Sequence, residues 1–321
     1  MIKTPNPLLS RSYFGLRSVS VIDVPSAANA SATVKAPALN GKRIFYAGWL
    51  DQSFWPDGLY TPASDAALAF DLRAAKEFGL NMIRLHQKVN PERWYYYADT
   101  LGLAIFQDVP QKYGHASNAT IPLFDADLAA LIGGPRANHP SIVMWDVFNE
   151  KDCVGVVAPD AATARRYVET ARALDAGAGR MVDTNSGGPA NDYGVGDVND
   201  VHTYPNPGDP VPSASQWAMI GEYGGLGAFQ TPEPGHEWVP GACNTYKQVN
   251  TSQEFADTYV EYVRTVGAEL DDVSAIVYTQ PTDLERECDG FLNYDRSARF
   301  SDHEKLQIQM ANAAIIAAGS G

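Results

Sequence analysis

Two glutamates in this chain stand where a pair of carboxylates can work together. Glu150 follows Asn149 at the end of the run IVMWDVFNE, and Glu222 lies at the end of the apolar run of AMIGEYG. Retaining cleavage of a glycosidic bond needs one carboxylic acid to protonate the leaving oxygen and one carboxylate to attack the anomeric carbon, about 5–5.5 Å away. A single carboxylate at a strand end is as readily a salt bridge or a helix cap. The pair gains force from its company, because Arg84, Asp108, His202, Tyr204 and Gln280 also lie at the ends of short β-rich runs, and His86 follows Arg84 by two residues.

Those runs recur at intervals that suit a barrel. From about residue 42 the strand candidates are RIFYAGW, NMIRLH, LAIFQD, IVMWDVFNE, RMVDTN, DVHTY, AMIGEYG and AIVYTQ. Helix-like stretches fall between them at 64–78, 92–101, 124–133, 160–176, 253–269 and 302–317, with weak or missing helices in the fifth and sixth units. Alternating strands and helices argue for a parallel sheet, and eight units match the roughly 250 residues of a closed (β/α)8 TIM barrel. Such a barrel is filled by apolar side chains, so chemistry belongs on the loops after the strands, and the fourth and seventh strands can face each other there. Trp49, Trp55 and Trp238 are expected in those loops as apolar platforms, and Trp94, Trp145 and Trp217 in the core. Residues 1–40 stand apart: RSYFGLRSVSVIDV alternates like a strand, and SAANASATVKAPALNG reads as a loop. The expected division is therefore an N-terminal strand and linker over 1–40 and a catalytic barrel over 41–321.

Composition excludes several classes. A formal charge of −14 without a Lys/Arg cluster argues against a nucleic-acid partner. No run of 18 or more apolar residues offers a membrane span. The cysteines, Cys153, Cys243 and Cys288, are odd in number and widely spaced, which predicts neither a disulfide framework nor a CxxC metal pair. The N-terminus has no basic segment followed by an apolar one, which leaves cytoplasmic and secreted locations both open, and nothing in the sequence sets the oligomeric state.

The strings LNGKRIFYAGWLDQSFWPDGLYT, GLNMIRLHQKVNPERWYYYADTLGLAIFQD, NHPSIVMWDVFNE, DVHTYPNPG, GEYGGLG, GHEW and YTQPTDLE, in this order, resemble the barrel domain of glycoside hydrolase family 2, the family of β-galactosidases, β-glucuronidases and β-mannosidases. The likeness runs from about residue 11 to the C-terminus. It implies a retaining, exo-acting β-glycosidase, with Glu150 as acid/base and Glu222 as nucleophile. It also implies that the stretch Ser12–Val21 is the last strand of an upstream immunoglobulin-like domain. In that frame Asn149 donates to the sugar 2-hydroxyl, Arg84 holds Glu222 ionised, and Tyr204 donates its hydroxyl to Glu222. Each has a plainer reading: Arg84 as a tie between strand ends, Tyr204 as core with a wet tip. His86 and His202 contact sugar hydroxyls or are structural. Asp108 accepts from hydroxyls or braces an Arg, and Gln280 contacts sugar or closes a loop.

The resemblance also has gaps. After Glu150 the chain reads KDCVGVVAPD, where related sequences often carry a Gly-Trp-Gly-type loop. Metal and sodium ligands of galactosidases cannot be placed by motif, so no metal and no cofactor is expected. The Asn-x-Lys signature that favours glucuronides occurs on the barrel strands only as Asn149-Glu150-Lys151, Asn40-Gly41-Lys42 lying before the first of them, which points to a neutral β-hexoside such as a β-galactoside, with β-glucuronide and β-mannoside as alternatives. Two rivals come from other classes: a non-catalytic carbohydrate-binding barrel, and a metal-dependent hydrolase, for which no His-x-His or His-Glu-x-x-His is present.

Overall fold

The computed structural model describes residues 12–29, 31–110, 120–150, 161–187, 194–228, 244–269 and 272–321. Its strands are, in chain order, β1 (Val19–Pro25), β2 (Thr33–Leu39), β3 (Lys42–Arg43), β4 (Tyr46–Asp51), β5 (Met82–Leu85), β6 (Ala104–Asp108), β7 (Ile142–Asn149), β8 (Met181–Ser186), β9 (Val198–His202), β10 (Trp217–Gly224), β11 (Leu226–Ala228), β12 (Lys247–Val249) and β13 (Val273–Thr279). The helices are α1 (Asp65–Leu68), α2 (Phe70–Glu77), α3 (Glu92–Leu101), α4 (Thr120–Ile132), α5 (Ala161–Leu174), α6 (Ser252–Glu269) and α7 (Asp302–Gly319). None of the described helices is long and apolar enough to cross a membrane.

Eight strands form one sheet in the order β8-β7-β6-β5-β4-β13-β10-β9, with parallel pairing throughout. The end strands β8 and β9 lie side by side, so the sheet curls into a nearly closed barrel. Asp197 stitches that seam: its backbone N–H donates to the Val182 carbonyl at 2.9 Å, and its side chain accepts from the Val182 N–H at 2.8 Å. The fold is the expected TIM barrel. Helices follow the first four and the last two barrel strands; between β9 and β10 the chain returns without one. Local signals agree with this layout. Ser64 caps α1 by accepting from the Ala67 N–H, and Ser301 with Glu304 forms a reciprocal capping box on α7.

The period of two along each strand divides the interior. Ala47, Trp49, Ile83, Ile105 and Val182 point outward to the helices, whereas Tyr46, Met82, Phe106, Met144, Met181 and Met219 point into the bore. This parity corrects the expectation for Trp49. It is fully buried in the helix layer, edge-on to Phe78 and Phe291, because its neighbours Tyr46 and Leu50 take the bore-facing positions. Trp94, Trp145 and Trp217 are buried as expected.

The bore is apolar only in its lower half. Two residues further along the strands, the apolar layer gives way to Arg84, Asp108, Asp146, Asp183 and Asp200, all buried. The expectation of a bore filled by apolar side chains therefore holds for one end of the barrel alone.

The N-terminal segment also departs from expectation. The stretch read as a loop contains β2, which pairs antiparallel with β1 over its whole length, from Val19 opposite Leu39 to Pro25 opposite Thr33. Asn40 and Gly41, both with positive φ (52° and 76°), make the tight two-residue turn into β3. Val19, Val21 and Leu39 pack on the apolar layer of the bore, so the hairpin seals the lower mouth. The Arg17 guanidinium ties this segment down by donating to the carbonyls of Pro140 and Ile142 at 2.9 and 2.8 Å. A period-two pattern is too weak in TVKAPAL to announce a strand; its partner supplies the hydrogen bonds. Cys288 is disulfide-bonded, with its partner outside the described residues, a pairing the odd cysteine count does not anticipate.

Candidate active site

Parallel strands deliver their C-terminal ends to one face, and the polar upper bore opens there. At its centre lies Arg84, wholly buried at the end of β5. It grips Asp108 of β6 with two parallel bonds of 3.1 Å, donates to Glu222 Oε1 at 3.1 Å and to Asn149 Oδ1 at 2.6 Å, and lies 3.6 Å from Asp146. Burial opposes its charge, yet Asp108, Glu222 and Asp146 push its pKa well up. Burial alone would raise Asp108; Arg84 and His86 outweigh it and hold that carboxyl far below the usual carboxylate range. Asp146 goes the other way, pushed well up by burial and by Asp108 and Asp183. One guanidinium cannot neutralise every acid around it, and Asp146 is the acid of this group on which charge is most disfavoured.

Glu222 Oε2 accepts from the Tyr204 hydroxyl at 2.7 Å, and that same hydroxyl oxygen lies 2.7 Å from Thr279 Oγ1. Each nucleophile-candidate oxygen thus has one donor, Arg84 on Oε1 and Tyr204 on Oε2, which fixes the carboxylate plane. Tyr246 stacks on the Tyr204 ring at 3.8 Å and 11° and remains 61% exposed, so its outer side is open to a ligand.

Glu150 comes from β7 with a left-handed backbone (φ 52°), a conformation uncommon outside glycine, and its N–H donates to the Ser186 carbonyl at 2.6 Å. The neighbouring chain must come close here. At Gly187 a Cβ would stand 2.7 Å from Glu150 Cγ, so only glycine fits. His202 Nδ1 lies 2.9 Å from Glu150 Oε1 and 3.5 Å from Glu222 Oε1. The hydrogen bond from His202 is the main reason that the Glu150 carboxyl is held below its ordinary pKa. Burial disfavours charge on His202, but Glu222, Asp200 and Glu150 push its pKa up to about 10. The two glutamates thus face one shared imidazole nitrogen.

Glu150, His202 and Glu222 present ligand atoms within 4.8 Å of one another, a grouping that by distance alone could take a metal ion. Within it His202 Nδ1 is already engaged by Glu150 and Glu222 Oε1 by Arg84.

Of the residues singled out in the sequence, Glu150, Glu222, Asn149, Arg84, His86, Asp108, His202 and Tyr204 converge. Asp108 braces Arg84 and, at 2.7 Å, His86 Nδ1. Gln280 is buried and donates to Glu287 and Asp289, and it lies 3.3 Å from the Gln52 amide. Trp49 is absent from the face, Trp55 packs under the Arg296 guanidinium at 3.7 Å, and Trp238 lies outside the described residues, as do residues 151–160. Asp146, Ser186, Asp200 and Tyr246 escaped the sequence reading. Asp200 shares bore parity with His202, a signal available in the alternation of DVH; in WDVFNE the alternation breaks, with Phe148 in the helix layer and Asn149 in the bore, and Tyr246 carries no local signal.

No protein-family model matches the chain. A β-galactosidase of Lactococcus lactis is 27% identical over 120 residues, 35% of this chain and 12% of that protein. Among solved structures, a GH2 β-galacturonidase from Eisenbergiella tayi bound to galacturonate superposes with a TM-score of 0.70 at 16% identity, over 94% of this chain and 55% of that one. A β-glucuronidase of Bifidobacterium dentium complexed with coumarin-3-O-glucuronide gives 0.67 at 17%, over 94% and 49%. The resemblance to glycoside hydrolase family 2 read from the motifs therefore recurs in both comparisons, and the chain spans about half the length of the matched solved chains.

Proposed function

We propose that this chain is a retaining, exo-acting β-glycoside hydrolase, with Glu222 as nucleophile, Glu150 as general acid/base and residues 41–321 as the catalytic barrel. The observation that carries this reading is the spacing of the pair: an oxygen of each carboxylate lies within 4.8 Å of the other. So close an approach supports the double-displacement arrangement, with carboxyl groups about 5–5.5 Å apart, over the roughly 6.5–9.5 Å that inversion uses.

In the first step a Glu222 oxygen supplies an electron pair to the anomeric carbon. The bond to the leaving oxygen breaks with its pair, and Glu150 gives that oxygen a proton. In the second, Glu150 takes a proton from water, whose oxygen displaces Glu222. Arg84 and Tyr204 hold the attacking carboxylate in place, and Asn149, whose Oδ1 is turned to Arg84, keeps its amide N–H groups for the sugar 2-hydroxyl. The substrate we favour is a neutral β-hexoside such as a β-galactoside. The two cations at the centre of the described site, Arg84 and His202, are each engaged by carboxylates of the protein. A uronide is the second reading, favoured by the solved relatives, one bound to galacturonate and one complexed with a glucuronide.

Hydrolysis of a panel of aryl β-glycosides (galactoside, glucuronide, galacturonide, mannoside, glucoside) by the chain and by Glu150→Gln and Glu222→Gln tests this. Turnover of one member that falls by about 10⁴-fold or more in Glu222→Gln is expected. Undiminished turnover in either variant would remove the assignment, and sugar binding without hydrolysis would favour a carbohydrate-binding barrel.

A further inference from the structure

We infer that His202 and Glu150 share the one proton on which cleavage depends, so that His202 is a positioning residue that stores the acid's proton and not a contact to the sugar. This rests on the glycosidase reading above. The argument begins at the far side of the ring. Ser186 Oγ lies 2.7 Å from His202 Nε2 and also bonds the buried Asp200 carboxylate. Asp200 Oδ1 is occupied by the Gly221 N–H at 2.6 Å. A carboxylate only accepts, so the Ser186 hydroxyl donates to Asp200 and its oxygen accepts from Nε2–H. Nε2 therefore carries a hydrogen in every state of the ring, and Nδ1 alone is left to titrate.

Nδ1 faces Glu150 Oε1 at 2.9 Å. One proton on that line has two addresses: on Nδ1, giving imidazolium and carboxylate, or on Oε1, giving neutral imidazole and carboxylic acid. The groups facing the ring decide between them. Glu150 of β7, Glu222 of β10 at 3.5 Å and Asp200 of its own strand at 3.6 Å favour the cation; Arg84 of β5, whose Nη1 lies 3.3 Å from Nε2, opposes it. The balance in the free protein favours the cation, consistent with the opposed pKa shifts of the two groups.

Turnover changes that balance. The proton passes from Nδ1 to Oε1 and on to the leaving oxygen, while the Nδ1 electron pair stays on the ring. Once Glu222 is esterified, the negative charge 3.5 Å from Nδ1 is gone, and a neutral ring suits the site while Glu150 acts as base. Release of the sugar restores the Glu222 charge and draws the proton abstracted from water back to His202. The pair then accounts for how a glutamate that is ionised at rest serves as an acid.

Two measurements test this. The first needs no substrate: ring ¹⁵N shifts of His202 across pH in the chain and in Glu150→Gln. A doubly protonated ring persisting above about pH 8, with its midpoint lowered by at least about one unit in Glu150→Gln, is expected. A neutral ring at pH 7 overturns the inference even if the chain proves to be a glycosidase. The second is the pH profile of kcat/KM for an unactivated alkyl or phenyl glycoside and for a dinitrophenyl glycoside. In His202→Asn and, more weakly, in Ser186→Ala, the alkaline limb for the unactivated substrate should move down by about two units, with a loss of about 10²-fold at pH 8. The dinitrophenyl glycoside, whose leaving group needs no acid, should change by less than about threefold. Equal losses on both substrates with unmoved limbs would mean that His202 only binds sugar or holds structure. Absence of hydrolysis by any form would sink the glycosidase reading and leave the shared proton to the ¹⁵N result.

Discussion

The lower and upper halves of the barrel bore come from the same strands, two residues apart, and are built on opposite principles. Met82, Phe106, Met144, Met181 and Val198 fill the lower half, and the hairpin of β1 and β2 closes it from water. On the same strands, Arg84, Asp108, Asp146, Asp183 and Asp200 fill the upper half. The lower layer gains by leaving water and needs only shape. The upper layer gains nothing by burial and persists because Arg84 and His202 compensate acids that would otherwise repel. The barrel thus concentrates its stability at one end and its unpaired risk at the other, and the risk lies at the C-terminal face where catalysis is proposed.

Substitutions can break or sharpen this contrast. Arg84→Met, similar in length but uncharged, leaves Asp108 and Glu222 without their shared cation. It should remove hydrolysis by about 10³-fold or more and lower stability by about 3–5 kcal/mol. Urea unfolding checks the second figure, and a loss below about 1 kcal/mol would show that the upper layer does not depend on this residue. Phe106→Ala in the lower layer should cost about 3–5 kcal/mol by opening a cavity, while the kcat/KM of the folded fraction stays within about twofold. A large fall in kcat/KM with little loss of stability would erase the distinction between the two halves. The finest probe is Asp146→Asn. Because burial, Asp108 and Asp183 disfavour charge on Asp146, the amide should change stability by less than about 1 kcal/mol. A cost near that of Arg84→Met would mean that Asp146 is ionised, and that Arg84 neutralises two aspartates together.

Much of this was readable in the chain. Strand and helix alternation is a local pattern of apolar spacing, so the eight units, the missing sixth helix and the strand-end placement of Glu150 and Glu222 follow from it. Arg84, Asp108 and Tyr204 were readable for the same reason, each standing at or just past the end of an apolar run. What escaped the reading depends on partners distant in sequence. Trp49 looks like a loop platform until the parity of Tyr46 and Leu50 turns it toward Phe78 and Phe291. β2 becomes a strand only when β1 lies beside it, and Tyr246 joins the site only by stacking on a ring 42 residues earlier in the chain.

The sequence by itself determined that these residue types stand at strand ends, and a parallel barrel gathers its strand ends on one face. Only the tertiary structure decided their charge. Protonation follows from the sum of fields at one point, and at His202 that point is set by Glu150, Ser186, Asp200, Glu222 and Arg84, residues of five strands that meet only when the barrel closes.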